Sequence, residues 1–125
     1  MAHYVDVYVL PVPRRNLEAY RAMAETAGKV WREHGALDYI EVVAEDVKKG
    51  VHTSFPQAVK LEEDETVVVG WIVFRSREDR DRINAAVMVD PRLACSDPKI
   101  MPFDARRMFW GGFDTLVATA SSKSA

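Results

Sequence analysis

An α+β fold, with one antiparallel sheet and helices on a single side of it, is predicted from three features of the sequence. Residues 3–10 alternate as a strand does, residues 17–34 repeat apolar positions at helical spacing, and residues 67–73 are rich in β-branched side chains that disfavour helix.

The first strand is expected from His3 to Leu10, with Val5, Val7 and Val9 on one face and Tyr4, Asp6, Tyr8 and Leu10 on the other. Pro11 and Pro13 are expected to stop it. A helix follows, in which Leu17, Tyr20, Ala24, Ala27, Trp31 and His34 recur at spacings of three and four and form a stripe suited to a sheet. Its other side carries Arg21/Glu25 and Lys29/Glu33 at i,i+4, each pair contributing about 0.2–0.5 kcal/mol. Gly35, free to take positive φ, ends it.

A second strand is expected over Leu37 to Ala44 and a third over Thr66 to Phe74. Ser76 to Asp79 resembles a capping box, with Asp79 in place of the usual Glu or Gln, and opens a second helix that Asp90-Pro91 closes after Val89. The last strand is placed at Arg107 to Val117, and residues 118–125, rich in Ser and Ala, read as a flexible tail. The order β-α-β-β-α-β is that of a ferredoxin-like domain, here residues 1–117 with a long insertion at 45–65. In this reading the sheet face away from the helices holds Tyr4, Tyr8, Leu10 and Tyr39 beside Asp6 and Glu41. Such a face needs a cover, and a homodimer supplies one.

Bulk properties narrow the function classes. The 125 residues carry 17 basic and 19 acidic side chains, interspersed, for a net charge of −2. That balance predicts solubility and argues against nucleic acid as a partner. No apolar run approaches the roughly 20 residues that span a bilayer, and Met1 to Tyr4 does not begin a signal peptide, so no membrane partner and a cytoplasmic location are expected. Cys95 is the single cysteine, which rules out an internal disulfide and suits a reducing compartment.

Residues 45–65 far exceed the two to five of an ordinary hairpin. Within them Ser54-Phe55-Pro56 reads as a helix start, the hydroxyl as N-cap and proline in the first turn, with the helix running to about Leu61. An irregular stretch from Arg92 to Asp104 joins the second helix to the last strand. These two segments are expected to border a cleft.

Taken together, Tyr4-Val5-Asp6, Pro11-Val12-Pro13, Thr53-Ser54-Phe55 with Ala58-Val59, Asp90-Pro91-Arg92, Pro102-Phe103-Asp104 and Gly111-Gly112-Phe113 resemble the YbaA-like bacterial family of unknown function. The resemblance covers about His3 to Val117. It implies a ferredoxin-like fold of the dimeric α/β-barrel superfamily, whose members range from monooxygenases to simple ligand binders, and it brings no catalytic residue with it. Val7, Lys48 and Arg75 depart from the family pattern, which has glycine, proline and proline there.

Candidate chemistry gathers on a few side chains. Asp6 and Glu41 are read as paired acids, suited to proton transfer in a dry pocket or else to an ion pair with Arg107. His52 could titrate near neutrality or serve as a polar loop residue. Trp71, Trp110 and Tyr39 could wall a planar ligand or pack a core, and Asp104 stands beside Arg107 at the entry to the last strand. Asp46, His52 and Asp104 lack metal-ligand spacing, so no metal is expected, and no cofactor is implied. His34 suits a helix C-terminus, and Cys95 reads as a small hydrophobe. Gly111-Gly112 marks a bulge or a close backbone approach. Two functions fit these residues. One is a protein that binds a small organic molecule between sheet and loops, with or without cofactor-free catalysis. The other is a non-catalytic homodimeric module that spends the same sheet face on its own partner.

Overall fold

Strand β1 spans Tyr4–Pro13 and continues through both prolines that were expected to end it. The reason lies in its neighbours. Strand β4, Phe109–Asp114, pairs with β1 only as far as Val9, so beyond that point β1 has β3 alone beside it. Prolines at alternate positions can then turn their nitrogens to the unpaired side. Strand β2 spans Asp38–Val43, and β3 spans Glu65–Phe74. The sheet order is β2-β3-β1-β4 with every neighbouring pair antiparallel, as a split β-α-β requires. The computed structural model describes residues 3–94 and 101–119. Cys95 and the tail from residue 120 lie outside the described residues.

Helix α1 spans Leu17–Glu33 and ends against Gly35, whose φ of 120° is open to glycine alone among common residues. Helix α2, Phe55–Ala58, is shorter than expected but begins as expected, with the Ser54 hydroxyl accepting from the Gln57 N–H at 3.3 Å. Helix α3, Arg77–Met88, starts with Ser76 accepting from the Asp79 N–H at 3.1 Å. The Asp79 carboxylate pairs with Arg75 and Arg82, so half of the capping box forms. Pro91 does not begin a loop. It opens α4, Pro91–Ala94, where the Asp90 side chain accepts from the Arg92 N–H. The last strand starts later than expected because Ala105–Arg107 form a 3₁₀ turn ahead of it, and it ends at Asp114, short of Val117.

The two faces of the sheet are assigned opposite to the expectation. Tyr8, Leu10, Val12, Val68, Ile72 and Phe74 pack with Tyr20 and Val30 of α1 and Ile83 and Val87 of α3, so the even-numbered side of β1 faces the helices. Tyr4 and Tyr39 belong to the same layer. The odd-numbered side looks away. There Val9 and Val67 pack against Val59, with Ala44 and Leu61 beside them, so the long 45–65 segment covers one end of this second face. Beyond that cover, the registers Ile40–Trp71–Val7–Gly111 and Asp38–Val73–Val5–Phe113 run across the four strands, and Phe113 is exposed.

Candidate functional site

The helix side of the sheet carries a cavity of about 620 Å³, bounded by α1, α3 and the segment around Phe103. Its floor is built from two cross-strand rows. One row reads Glu41, Gly70, Tyr8 and Trp110 from β2 to β4, and the next reads Tyr39, Ile72, Asp6 and Gly112. Residues directly opposite each other project to the same face, so the sheet register alone brings these side chains together.

Glycines hollow the floor. A Cβ on Gly70 would lie 2.2 Å from Tyr8 Cζ, and one on Gly28 of α1 would lie 2.9 Å from the Tyr39 ring. Each glycine therefore leaves space that a tyrosine ring occupies. Gly112 plays the same part toward Tyr4 and Arg80, whose atoms a Cβ there would meet at 2.4 and 2.2 Å. The expected close approach at Gly111-Gly112 is thus made by the chain's own side chains at Gly112. A Cβ on Gly111, on the other face, would make only ordinary contacts with Phe113.

At one end of the cavity Glu41 accepts hydrogen bonds on both oxygens, from the Tyr20 hydroxyl and, at 2.6 Å, from the Tyr39 hydroxyl. Burial and then the Glu41 carboxylate push the ionisation of both phenols upward, so each remains an O–H donor at neutral pH. Tyr8 is shifted upward too, chiefly by burial, with Tyr39 and Glu41 adding to it. The Tyr8 hydroxyl is buried over Gly70, close enough to the Tyr39 hydroxyl to interact with it although the two fall short of full hydrogen-bond geometry.

At the other end Asp6 accepts from Arg80 Nε at 2.9 Å and Asn84 Nδ2 at 3.2 Å, while Asn84 Oδ1 accepts from the Trp31 indole at 2.9 Å. Arg80 also donates to Asp81 at 2.7 Å and lies over the Tyr4 and Trp110 rings, 5.1 and 5.8 Å from their centroids. Burial works against its charge, but the bonds to Asp6 and Asp81 outweigh it and hold its pKa above the ordinary arginine value. Between the two ends the wall is apolar, with Leu10, Met23, Ala27, Met88, Phe103 and Met108. Phe103 stacks edge-on against Tyr20, with centroids 5.6 Å apart.

Asp6, Tyr39, Glu41 and Trp110 therefore line one cavity, but on the helix side of the sheet. Asp6 and Glu41 are separately partnered rather than paired with each other or with Arg107. Arg107 instead makes a two-pronged pair with Glu65, both bonds 2.7 Å, and reaches Asp104 at 3.1 Å and the Lys60 carbonyl at 3.0 Å. It ties the 3₁₀ turn to β3 and to the long segment. Trp71 stands on the opposite face from Trp110, and His52 is exposed in the long segment, away from the cavity lining. The Asp46–Leu61 segment frames no part of this cavity, because it covers the other face. His34, at the end of α1, bonds Asp90 at 2.9 Å. Among the described residues no three acidic, histidine or cysteine side chains converge as metal ligands do.

Tyr8, Tyr20, Arg80, Asn84, Gly28 and Gly70 were not among the expected site residues. Gly70, interrupting Val67-Val68-Val69 in a central strand, is the sequence signal that points to them.

A family model described as "Protein of unknown function (DUF1428)" matches residues 3–105. The chain belongs to the DUF1428 family. It is 45% identical over 114 residues to the uncharacterized protein YbaA of Escherichia coli strain K12, covering 91% of this chain and 97% of that one, and YbaA of Shigella flexneri matches equally. Solved structures share the fold with this DUF1428 protein at low identity. A nipsnap family protein with unknown function from Agrobacterium tumefaciens aligns with TM-score 0.53 and 17% identity, over 96% of this chain and 92% of that one. A dimeric ferredoxin-like protein from an uncultured marine organism aligns with TM-score 0.53 and 11% identity, over 97% and 100%. The fold is α+β and ferredoxin-like. No helix among the described residues is long and apolar enough to cross a membrane.

Proposed function

We propose that this protein binds a small, flat organic molecule without negative charge in the cavity between sheet and helices, and that it does so as a cytoplasmic homodimer. The cavity itself carries this reading, because about 620 Å³ of largely apolar space lies between two hydrogen-bonded polar clusters, Glu41 with Tyr39 at one end and Asp6 with Arg80 and Asn84 at the other. Aromatic rings from Tyr20, Trp31, Tyr39 and Phe103 suit a planar molecule. An anion is disfavoured on two counts. Arg80, the cation among the described lining residues, is already matched by Asp6 and Asp81, and Glu41 repels an anion.

The homodimer rests on the other sheet face, where an apolar surface is left beside the partial cover of the long segment. A dimeric structural relative of the same fold supports the same reading. Pocket and interface then lie on opposite faces and do not compete. The cytoplasmic setting rests on the single cysteine and the interspersed charges.

A thermal-shift screen against neutral aromatic and cyclic carbonyl, phenol and enol compounds tests the pocket. A true ligand at a hundred times its dissociation constant stabilises by about 2.7 kcal/mol. Ala27→Trp, which adds bulk at the cavity wall, should remove most of that shift. A shift that survives in Ala27→Trp, or no shift from any of these compounds, would count against the reading.

A further inference from the structure

We propose that the cavity takes an organic cation, a flat aromatic frame bearing a protonated amine, with the ammonium group on the Glu41 carboxylate. The proposal rests on the cavity reading above and deepens it by fixing the sign of the ligand's charge. The lining holds three carboxylates, Asp6, Glu41 and Asp81, against one guanidinium, Arg80. Arg80 is committed to one end, where it pairs with both Asp6 and Asp81. At the other end the two partners of Glu41, the Tyr20 and Tyr39 hydroxyls, are neutral donors. They hold the carboxylate in place without cancelling its charge. Among the described residues no cation forms an ion pair with Glu41, although Arg21, Lys29 and Arg32 line a groove on its other side. Arg21 pairs instead with Glu18, and Arg32 donates to the Ala36 and Leu37 carbonyls. A carboxylate offers about four acceptor positions, so two remain for the N–H groups of an amine. Bonds of that kind are roughly twice as strong as neutral ones.

The rings at this end suit the same charge. Two aromatic pairs are built on the tyrosines that hold Glu41, Tyr39 with Trp31 at 6.0 Å between centroids and Tyr20 with Phe103 at 5.6 Å. Aromatic faces attract cations, and the attraction grows where water is excluded. The chain uses this effect at the opposite end, where Arg80 lies over the Tyr4 and Trp110 rings. Among the described residues no side-chain cation lies over the four rings at the Glu41 end. A bare metal ion does not match these surroundings. No three ligating side chains converge among the described residues, and a space of about 620 Å³ far exceeds an ion. An ammonium group on a flat frame matches them, its head at the carboxylate and its frame along the apolar wall of Leu10, Met23, Ala27 and Met108.

The test compares two compounds of one shape on the full chain by titration calorimetry at pH 7. They are 2-naphthylmethylamine, a cation at that pH, and 2-naphthalenemethanol, its neutral counterpart. The wild-type protein should bind the amine at least tenfold more tightly than the alcohol. In Glu41→Gln, which keeps the shape and removes the charge, the ratio should fall to near one while the alcohol binds as before. Ala27→Trp should abolish binding of both, which ties the preference to the cavity. Equal or tighter binding of the alcohol would overturn the cation and leave the cavity reading standing. A preference for the amine that survives in Glu41→Gln would overturn Glu41 as its anchor, and one that survives in Ala27→Trp would place the amine outside the cavity and overturn the proposal. Binding of neither compound would also overturn it, and the cavity reading would then fall only if the wider screen found no ligand. If Glu41→Gln does not fold, the ratio measured on the wild-type chain still decides the sign of the charge.

Discussion

Arg107 shows how one side chain can be important for a reason different from the one its surroundings in sequence suggest. Its proximity to Asp104 was legible, and that contact forms. Its main partner, Glu65, lies 42 positions earlier at the start of β3, and nothing local announces the pairing. Glu65 is 3% exposed, and the Arg107 hydrogen bonds hold its carboxyl below the ordinary glutamate range. Arg107→Ala should cost about 3 kcal/mol, the low end for breaking a buried pair, since the guanidinium side chain keeps 17% exposure. Chemical denaturation reads the loss, and Glu65→Gln should recover part of it, whereas Asp6→Asn should recover none. A depressed carboxyl stabilises the fold above its unfolded pKa of roughly 4.3 and loses that contribution as pH falls through the lower folded value. The wild-type advantage over Arg107→Ala should therefore shrink on acidification below about pH 4.

At the level of elements, the strands and long helices were legible because each has its own period, two for β1 and 3.6 for α1. What period cannot give is the sense of a face. Alternation divides β1 into Val5-Val7-Val9 and Tyr4-Asp6-Tyr8-Leu10, but the polar set was expected to face away from the helices and in fact faces them. Hydrogen-bonded tyrosines and acids can be buried when partners such as Arg80 and Asn84 arrive from a helix more than 70 residues away, and only the folded topology supplies those partners. Proline likewise misled at Pro11, since its meaning depends on whether the neighbouring strand extends that far. Gly70 is the element-scale residue that the correct face explains. Gly70→Ala should cost about 1–3 kcal/mol through overpacking against the Tyr8 ring and should weaken ligand binding by pushing that ring into the cavity. Melting temperature and the thermal shift of a cavity ligand measure the two effects. A well-tolerated alanine would mean that the Tyr8 ring yields freely, and the hollow would then have no special role.

For the whole molecule, the corrected face assignment strengthens the case for association even though it replaces every residue first invoked for it. Tyr4, Tyr8, Leu10 and Tyr39 are already covered by the chain's own helices, so they create no need for a partner. The opposite face offers Val5, Val7, Trp71, Val73 and Ile40 at partial exposure, with Phe109 and Phe113 more exposed at the β4 edge, and the long segment covers only the Val9–Val67 end. A sheet face that is apolar across four strands is stabilised by a second apolar face of like shape, which another copy of this chain provides. Sedimentation equilibrium at micromolar concentration should give twice the chain mass of 14.1 kDa. Val7→Glu places a charge at the centre of the proposed contact and should produce a monomer whose melting no longer rises with concentration. Because Val7 is also half-buried within one chain, Val42→Lys at the exposed edge of the same face gives a milder second variant, expected to weaken association while leaving the fold intact. The cavity lies on the other side of the sheet, so a monomeric variant should keep its ligand-induced thermal shift. Wild-type chain sedimenting as a monomer would remove the homodimer from the proposal without touching the cavity. Loss of ligand binding on monomerisation would instead mean that the two faces are coupled through the sheet, against the independence argued from their opposite positions.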